Sequence, residues 1–310
     1  MIYVSQGHEL GIGLEVFFKS TLSLSQNTLD HFVLYANSKS IGDTLKTLNL
    51  PFKIQDSNIV VCGKQLSYCD INADKNETES SKSLLEILKI IKKEDILITL
   101  PTSKDQLIHN DENCAGYTEF FRKFYQIDEL SMIFKSYDLF VLLLSDHIPL
   151  SSVTKKLNQD FISSKIQITL KSIKKYFKLD INEVLISGIN PHAGEGGVLG
   201  HEDSVISSSI QDLNKTFPKI KLQGPLPGDT LHFHKSDQLK QLFVYAFHDQ
   251  GLPFFKDKYG LFGINITMGL DFLRMSVDHG TAFSLYGKNQ ASSSGCLYVL
   301  NEAFKIHSNR

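Results

Sequence analysis

The chain of 310 residues has no tryptophan, four cysteines and eight prolines. None of the cysteines forms a C-x-x-C pair, so we expect no disulfide framework and a reducing cytoplasm as the compartment. A net charge of -2 gives no reason to expect nucleic acid or an anionic membrane as a partner. The longest apolar runs, such as 139–144, are too short to span a bilayer, and the N-terminal segment lacks the basic region of a signal peptide.

Several common catalytic motifs are also missing. The absence of H-E-x-x-H, Walker A and G-x-S-x-G sequences disfavours zincins, P-loop enzymes and α/β-hydrolases. A glycine turn at Gly7, Gly11 and Gly13 lies between a strand-like and a helix-like segment. Because Val16 occupies the place of the third glycine in G-x-G-x-x-G, this turn is only a weak dinucleotide fingerprint. The length allows two domains or one large α/β unit.

Short apolar runs alternate with segments of helical spacing. A continuous run such as 139–144 is typical of a parallel strand that is covered on both faces. Apolar residues at helical spacing predict one helix over 118–134, and a long helix is predicted over 153–177. We predict strands at 1–5, 31–35, 59–62, 96–100, 139–144, 183–188, 219–222, 242–247, 260–268 and 273–277.

The segment SGINPHAGEGGVLGHED, residues 187–203, is unusually rich in glycine and follows the apolar run 184–186. In open α/β sheets, ligands bind at the carboxyl ends of the strands, which is where this loop is predicted to lie. Pro191 precedes His192, whose neutral imidazole can bind a divalent metal or transfer a proton. The alternative is an ordinary glycine-rich surface loop with an incidental histidine.

Three histidines share this context, since His147, His192 and His248 each follow an apolar run. If the runs are neighbouring parallel strands, the imidazoles converge on one edge of the sheet. Three protein ligands leave coordination positions open, as in catalytic metal sites. Asp146 and Asp249 are adjacent acids that could orient or neutralise such a site. The alternative is three unrelated polar residues at strand ends.

Polar residues recur after His248, at Lys256, Asn265 and Arg274, in apolar or glycine-rich surroundings. Arg274 lies in the sequence GLDFLRMSVDHG, where a buried guanidinium needs an anionic partner. A structural carboxylate and a bound phosphate are equally compatible with this pattern.

Four motifs, NPHAGEGG with a trailing G-x-E/D, GPLPGDT, HDQGLP-x-x-K and SVDHGTA, occur in this order after GHELGIGLEV near the start. Together they cover nearly the whole chain, which resembles the 4-hydroxythreonine-4-phosphate dehydrogenase family of vitamin B6 biosynthesis. The resemblance implies two α/β/α domains around a cleft, similar to isocitrate and isopropylmalate dehydrogenases, and a homodimer with shared active sites. We expect a first domain at 1–127 plus 265–310 and a second at 128–264 with the histidines.

The resemblance also implies residue roles. Divalent-metal ligands, for zinc, magnesium or cobalt, are expected at His147, His192 and His248. Substrate contacts are expected at Tyr117, Thr118, Lys256, Asn265 and Arg274. NAD, or NADP, is expected to bind at His279, Gly280, Thr281 and Ala282. Catalytic roles are assigned to Asp249 and Lys256.

Two departures from the family pattern stand out. The usual G-H-T-E motif is here Gly116-Tyr117-Thr118-Glu119, and tyrosine can donate a hydrogen bond but carries no positive charge near neutral pH. The usual G-E-P-A-G-I-G is here GHELGIG, which keeps the glycines of the turn.

The predicted activity is NAD-dependent, metal-assisted oxidation of 4-phosphooxy-L-threonine (4-hydroxythreonine 4-phosphate). The product would be a β-keto acid that decarboxylates to 3-amino-2-oxopropyl phosphate in pyridoxine and pyridoxal 5'-phosphate biosynthesis. Two alternatives remain, a paralogous dehydrogenase of another phosphorylated hydroxy acid and a non-catalytic metal-binding protein.

Overall fold

The computed structural model of the chain describes residues 1–74 and 77–309. The strands are β1 (Ile2–Ser5), β2 (Phe32–Ala36), β3 (Phe52–Ile54), β4 (Asn58–Val61), β5 (Lys64–Asp70), β6 (Ile96–Thr99), β7 (Ile108–His109), β8 (Glu112–Asn113), β9 (Ser131–Lys135), β10 (Phe140–Leu143), β11 (Glu183–Ser187), β12 (Lys221–Leu226), β13 (Gln241–Tyr245), β14 (Ile264–Met268) and β15 (Leu273–Val277). The α-helices are α1 (Gly13–Thr21), α2 (Gln26–Leu29), α3 (Ser38–Thr47), α4 (Glu79–Leu88), α5 (Tyr117–Tyr125), α6 (Leu150–Lys156), α7 (Gln159–Phe177), α8 (Ser204–Thr216), α9 (His248–Tyr259) and α10 (Ser294–Ser308).

The chain divides into two compact units, Met1–Ile127 with Leu270–Arg310, and Asp128–Gly269. We call them unit 1 and unit 2. The second boundary differs from the predicted one, because residues 265–269 lie in unit 2 rather than with the C-terminal segment. The reason is strand pairing, since β14 forms an antiparallel ladder with β9 of unit 2.

Unit 1 is built on strands in the order β15-β6-β1-β2-β5-β4-β3. The pairs from β15 to β5 are parallel, and β4 and β3 are added antiparallel at one edge. All four residues of β6 are buried, which explains the uninterrupted apolar character of its first three. The carboxyl ends of β15, β6 and β1 therefore lie side by side.

Unit 2 is built on strands in the order β12-β11-β13-β10-β9-β14. The first four strands run parallel to one another, whereas β9 is antiparallel to both β10 and β14. Every residue of β10, β11 and β13 is buried. Their long apolar runs are thus explained by a sheet that is covered on both faces.

The predicted helix over 118–134 is wrong in its second half. Helix α5 ends at Tyr125, and Gln126 follows in a left-handed conformation with φ 53°. Residues 131–135 form strand β9, in which all five residues are buried. The contiguous apolar triplet at 132–134 fits a strand with both faces covered, and it is not continued at helical spacing.

The long helix predicted over 153–177 is divided into α6 and α7. Asn158 begins the second helix, because its side-chain oxygen accepts a hydrogen bond from the backbone N of Phe161 at 2.9 Å. Asparagine is among the preferred N-cap residues, since it satisfies a backbone donor that has no partner within the helix.

The predicted fold class is confirmed, since the chain is a mixed α/β protein with largely parallel sheets. Across residues 1–74 and 77–309, no helix is both long and apolar enough to cross a membrane.

Candidate functional site

The three apolar runs that precede the histidines are neighbouring parallel strands, as the sequence predicts. In unit 2, β13 lies between β11 and β10. His147 follows the end of β10 by four residues, His192 follows β11, and His248 opens helix α9 directly after β13. All three histidines therefore leave the same edge of the sheet of unit 2.

Two of these imidazoles are adjacent. The ring centroids of His147 and His248 are 5.7 Å apart. Nδ1 of His248 lies 2.6 Å from Oδ1 of Asp249, an arrangement in which a carboxylate orients an imidazole. A pocket of about 280 Å³ lies between these residues and is lined by Asp146, His147, Ile148, Leu150, Val153, Phe247, His248 and Asp249.

His192 is exposed, and it does not line the pocket beside His147 and His248. Among the described residues, no three His, Cys, Asp or Glu side chains come close enough together to hold a metal ion. By donor chemistry, His147 and His248 fit a divalent cation, since imidazole is a common metal ligand and Asp249 already fixes one ring. The three-histidine metal site therefore stays a prediction, with two of its members already side by side.

The loop that carries His192 has an unusual backbone. Five consecutive residues, 192–196, are left-handed, with φ between 46° and 75°. Three of them, His192, Ala193 and Glu195, carry a Cβ, and the left-handed region costs such residues roughly 1–2 kcal/mol each. Conformations of this kind persist when surrounding contacts determine them, and they concentrate at binding sites.

Buried Asp203 bonds to the residues that lead into this run. Its Oδ1 accepts a hydrogen bond from the backbone N of Ile189 at 2.6 Å, and its Oδ2 accepts from the backbone N and the side-chain Nδ2 of Asn190 at 3.3 and 3.0 Å. A Cβ at Gly188 or Gly194 would lie within 2.9 Å of this carboxylate. The glycines of the motif thus leave room for an acid that holds the loop.

The other predicted residues of unit 2 lie on separate elements. Lys256 is exposed on α9, about two turns after His248. Asn265 is half-buried on β14, which is separated from β10 by β9. Neither residue belongs to the lining of the pocket beside His147.

In unit 1, Arg274 is buried on β15 with 3% of its surface exposed. Its Nε and one terminal nitrogen donate to Oγ1 of Thr99 at 3.1 and 2.7 Å. The guanidinium lies over the ring of Tyr117, 4.7 Å from the ring centre. Burial lowers the pKa of Arg274 to about 10, and the neighbouring Tyr117 opposes this shift. The buried cation would gain from a nearby anion.

The N-terminus of α5 lies beside this cation. Gly116 precedes the helix without capping it through a side chain, and Tyr117 and Thr118 are its first two residues. Thr118 is 4% exposed, and its buried Oγ1 has no hydrogen-bond partner within the part of the chain that the structure describes. A helix N-terminus attracts anions, and a buried unpaired hydroxyl is costly unless a ligand bonds to it.

Tyr117 stays a predicted substrate contact, and its hydroxyl already has a partner within unit 1. Its hydroxyl donates to the backbone O of Leu100 at 2.9 Å, and burial raises its pKa. The hydroxyl hydrogen is therefore already engaged within unit 1. What this side chain presents to Arg274 is its ring, through a cation–π contact.

The predicted nucleotide loop, His279 to Ala282, follows the carboxyl end of β15 in unit 1. The backbone O of Thr281 accepts from the backbone N of Ile12 at 3.0 Å, which joins this loop to the N-terminal glycine turn. Gly280 borders open space, and Ala282 is left-handed with φ 45°. Gly280 is exposed and the other three residues are half-buried, and a loop in this position at the end of a parallel strand can accommodate a nucleotide.

No sequence motif includes Thr99, and Asp203 is distinguished only as the last acid of the segment 187–203. Thr99 ends the apolar strand β6 before Leu100 and Pro101, and a polar residue at such a strand end is the signal that could have identified it.

The comparison of folds assigns the chain to a structural class. Isocitrate dehydrogenase from Methylococcus capsulatus has a similar fold, with a TM-score of 0.52 and 11% identity over 99% of this chain and 86% of that chain. The crystal structure of 4-hydroxythreonine-4-phosphate dehydrogenase from Klebsiella pneumoniae is more similar, with a TM-score of 0.77 and 24% identity over 99% of both chains. The architecture is therefore that of the isocitrate dehydrogenase-like α/β proteins.

The family model described as pyridoxal phosphate biosynthetic protein PdxA matches residues 29–303. The chain therefore belongs to the PdxA family, which confirms the resemblance found in its motifs. A relative from Colwellia psychrerythraea is 29% identical over all of this chain and 99% of its own, and one from an Enterobacter species is 38% identical over 68% of this chain and 64% of its own. Both relatives are named 4-hydroxythreonine-4-phosphate dehydrogenase, an oxidoreductase.

The bonds between Arg274 and Thr99 predict a specific stability effect. Thr99→Val keeps the shape of the side chain but removes the acceptor of two charged donors. We expect it to lower the free energy of unfolding by about 1.5–3 kcal/mol, as is typical of hydrogen bonds to charged groups. Thr99→Ser, which keeps the oxygen, should lose less. Urea unfolding of the two variants measures the difference, and equal losses would contradict the importance of the oxygen.

Proposed function

We propose that the chain is a divalent-metal-assisted, NAD-dependent dehydrogenase that oxidises 4-phosphooxy-L-threonine. The product is a β-keto acid that decarboxylates to 3-amino-2-oxopropyl phosphate, a step in pyridoxal phosphate biosynthesis. The observation that carries the proposal is the juxtaposition in unit 1 of buried Arg274 with the N-terminus of α5, where the buried hydroxyl of Thr118 has no partner among the described residues. The relatives' names supply the substrate.

Binding of the substrate phosphate is assigned to Arg274 and Thr118. A guanidinium can bind two phosphate oxygens at once, and it is already held by Thr99 and by the ring of Tyr117. Its pKa of about 10 keeps it charged at neutral pH, so a phosphate would restore part of the interaction that burial removes. Thr118 would add a hydrogen bond from its hydroxyl.

The metal site is assigned, as the family resemblance implies, to His147, His192 and His248. A divalent cation bound there would act as a Lewis acid toward the substrate hydroxyl. Imidazole donors favour zinc or cobalt over magnesium, which prefers oxygen ligands. Asp249 holds Nδ1 of His248 and so leaves Nε2 to face a ligand.

Asp249 and Lys256 are the residues proposed to have catalytic roles. Because Asp249 is bonded to His248, its main role in this proposal is to orient that imidazole. Lys256 projects from the same helix and is exposed, which suits a group that binds substrate and moves a proton. Asn265 remains a proposed substrate contact.

The nicotinamide cofactor is assigned to the loop of His279, Gly280, Thr281 and Ala282 in unit 1. Its position after β15 and the open space at Gly280 support this assignment. NAD is the proposed cofactor, with NADP as the alternative. A homodimer with shared active sites and a cytoplasmic location complete the proposal.

A second candidate is the oxidation of another phosphorylated hydroxy acid. It is favoured by Tyr117, which stands where the family has a histidine and whose hydroxyl donates to Leu100. Without an imidazole at this position, recognition of the phosphate depends more on Arg274.

The direct test is NAD reduction, followed by absorbance, with 4-phosphooxy-L-threonine as substrate. We expect turnover that a chelator abolishes and that added zinc or cobalt restores. Turnover with other phosphorylated hydroxy acids but not with this one would favour the second candidate. A protein that binds metal but turns over none of them would overturn the dehydrogenase proposal.

The metal assignment predicts the behaviour of single His→Ala variants. Each of His147→Ala, His192→Ala and His248→Ala should weaken zinc or cobalt binding, because each removes one of three donors. Equilibrium dialysis with metal analysis measures the loss, with His234→Ala as a control outside the predicted set. Metal binding at the native level in all three variants would contradict the assignment.

The phosphate assignment predicts a selective effect of Arg274→Lys. Lysine keeps the charge but loses the bidentate geometry, so substrate affinity should fall by about 1.5–3 kcal/mol. NAD affinity should stay nearly unchanged. Paired calorimetric titrations with substrate and NAD on folded variant protein check this, and equal losses for both ligands would mean that Arg274 has only a structural role.

A further inference from the structure

Strands β1 and β6 mark the point in unit 1 where the order of the sheet changes direction. The chain runs from β1 to its neighbour β2 on one side, whereas β6 pairs with β1 on the other side. In open α/β sheets, ligands bind in the crevice beyond the carboxyl ends of two such strands. The loops that follow β1 and β6 meet there, because the backbone N of His8 donates to the backbone O of Pro101 at 2.9 Å.

The loop after β1 carries a fixed carboxylate, that of Glu9. Nε2 of Gln106, in the loop after β6, donates to Oε1 and Oε2 of Glu9 at 3.1 and 2.8 Å. Nδ1 of His8 lies 3.5 Å from Oε2, but it accepts a hydrogen bond from the backbone N of Leu10 at 3.0 Å, so this nitrogen has no hydrogen to donate to the acid. The side chain of Glu9 is half-buried, and each of its oxygens can accept a further hydrogen bond.

The amide of Gln106 adds a second acceptor beside this carboxylate. Gln106 is 7% exposed, and its Oε1 has no hydrogen-bond partner among the residues that the structure describes. Because Oε1 and Nε2 belong to one planar amide, this oxygen lies next to the bond with Glu9. A buried acceptor without a partner is costly, and a ligand hydroxyl would supply the missing hydrogen. Two acceptors side by side suit the adjacent hydroxyls of a ribose.

The predicted nucleotide loop leads into residues that lie against the same turn. The ring of His8 packs edge-on against that of Phe283, with the ring centroids 4.8 Å apart. Burial raises the pKa of Tyr286, and nearby carboxylates, among them that of Glu9, raise it further. A nucleotide on the loop of 279–282 would therefore lie within electrostatic range of Glu9.

We propose that Glu9 is a specificity-determining residue, which accepts a hydrogen bond from the 2'-hydroxyl of the adenosine ribose and so selects NAD over NADP. The inference rests on the proposed function, in which the loop of 279–282 binds the dinucleotide. NADP carries a phosphate at this hydroxyl, so the hydrogen is lost and two negative groups are brought together. Gln106 positions the carboxylate and offers its own oxygen to the adjacent hydroxyl.

The experiment measures the dissociation constants of NAD and NADP by calorimetry in the absence of substrate. The native protein should bind NAD at least about tenfold more tightly than NADP, because like charges are costly when they are brought together. Glu9→Gln removes the charge but keeps an acceptor, so it should narrow this ratio by at least about fivefold, chiefly through tighter NADP binding. Glu9→Ala also removes the acceptor and should weaken NAD binding by about tenfold.

The residue before Gln106 provides a matched control. Asp105 is exposed, and Asp105→Asn removes one negative charge close by while the bonds between Gln106 and Glu9 stay in place. We expect this variant to keep the ratio of the two dissociation constants within about twofold, since exposed charges contribute little.

An unchanged ratio in folded Glu9→Gln would overturn the proposal, and so would native NAD affinity in folded Glu9→Ala or a native preference for NADP. An equal shift in Asp105→Asn would also overturn it, because the effect would then be one of overall charge. If the native protein binds neither dinucleotide, the cofactor assignment of the proposed function fails and the role of Glu9 fails with it. If the native protein binds NAD but the Glu9 variants behave like native protein, only the role of Glu9 fails.

Discussion

The parallel pairing of strands is the constraint on which the candidate site depends. In unit 2, the adjacent strands β11, β13 and β10 deliver His192, His248 and His147 to one edge of a sheet. In unit 1, β15, β6 and β1 deliver the loop at 279–282, the end of β6 and the N-terminal glycine turn to one edge. Parallel strands require crossover connections, so residues far apart in sequence meet at these edges.

Unit 1 contains a buried cation. The guanidinium of Arg274 is nearly fully buried, and its lowered pKa reflects the cost of removing the charge from water. Thr99 and the ring of Tyr117 are among the groups that offset that cost. A phosphate would offset more of it, which is why a pre-positioned arginine favours an anionic ligand over an uncharged one.

Local patterns in the sequence predicted ten of the strands, at approximate bounds, but not β3, β5, β7, β8 or β9. Strand β15 has the predicted bounds, because a short apolar run between turn residues leaves few alternatives. The prediction of a helix over 118–134 was wrong in its second half. There the apolar residues belong to the buried strand β9, which begins a few residues after the true helix α5 ends. The spacing of apolar residues alone does not show where the helix ends and the strand begins.

Local sequence patterns could not predict the contacts between residues of the candidate site. Thr99 and Arg274 are 175 positions apart and meet only because β6 pairs with β15. The left-handed run after Pro191 depends on backbone angles that residue types do not specify, apart from its glycines. The sequence likewise shows that Tyr117 stands where the family has a histidine, but not that its hydroxyl donates to Leu100.

A crystal structure of the protein with 4-phosphooxy-L-threonine tests the central claim most directly. The account predicts phosphate density within hydrogen-bond distance of the Arg274 guanidinium and the Thr118 hydroxyl, with the Tyr117 hydroxyl still bonded to the backbone of Leu100. A bound substrate whose phosphate lies away from both Arg274 and Thr118 would contradict it.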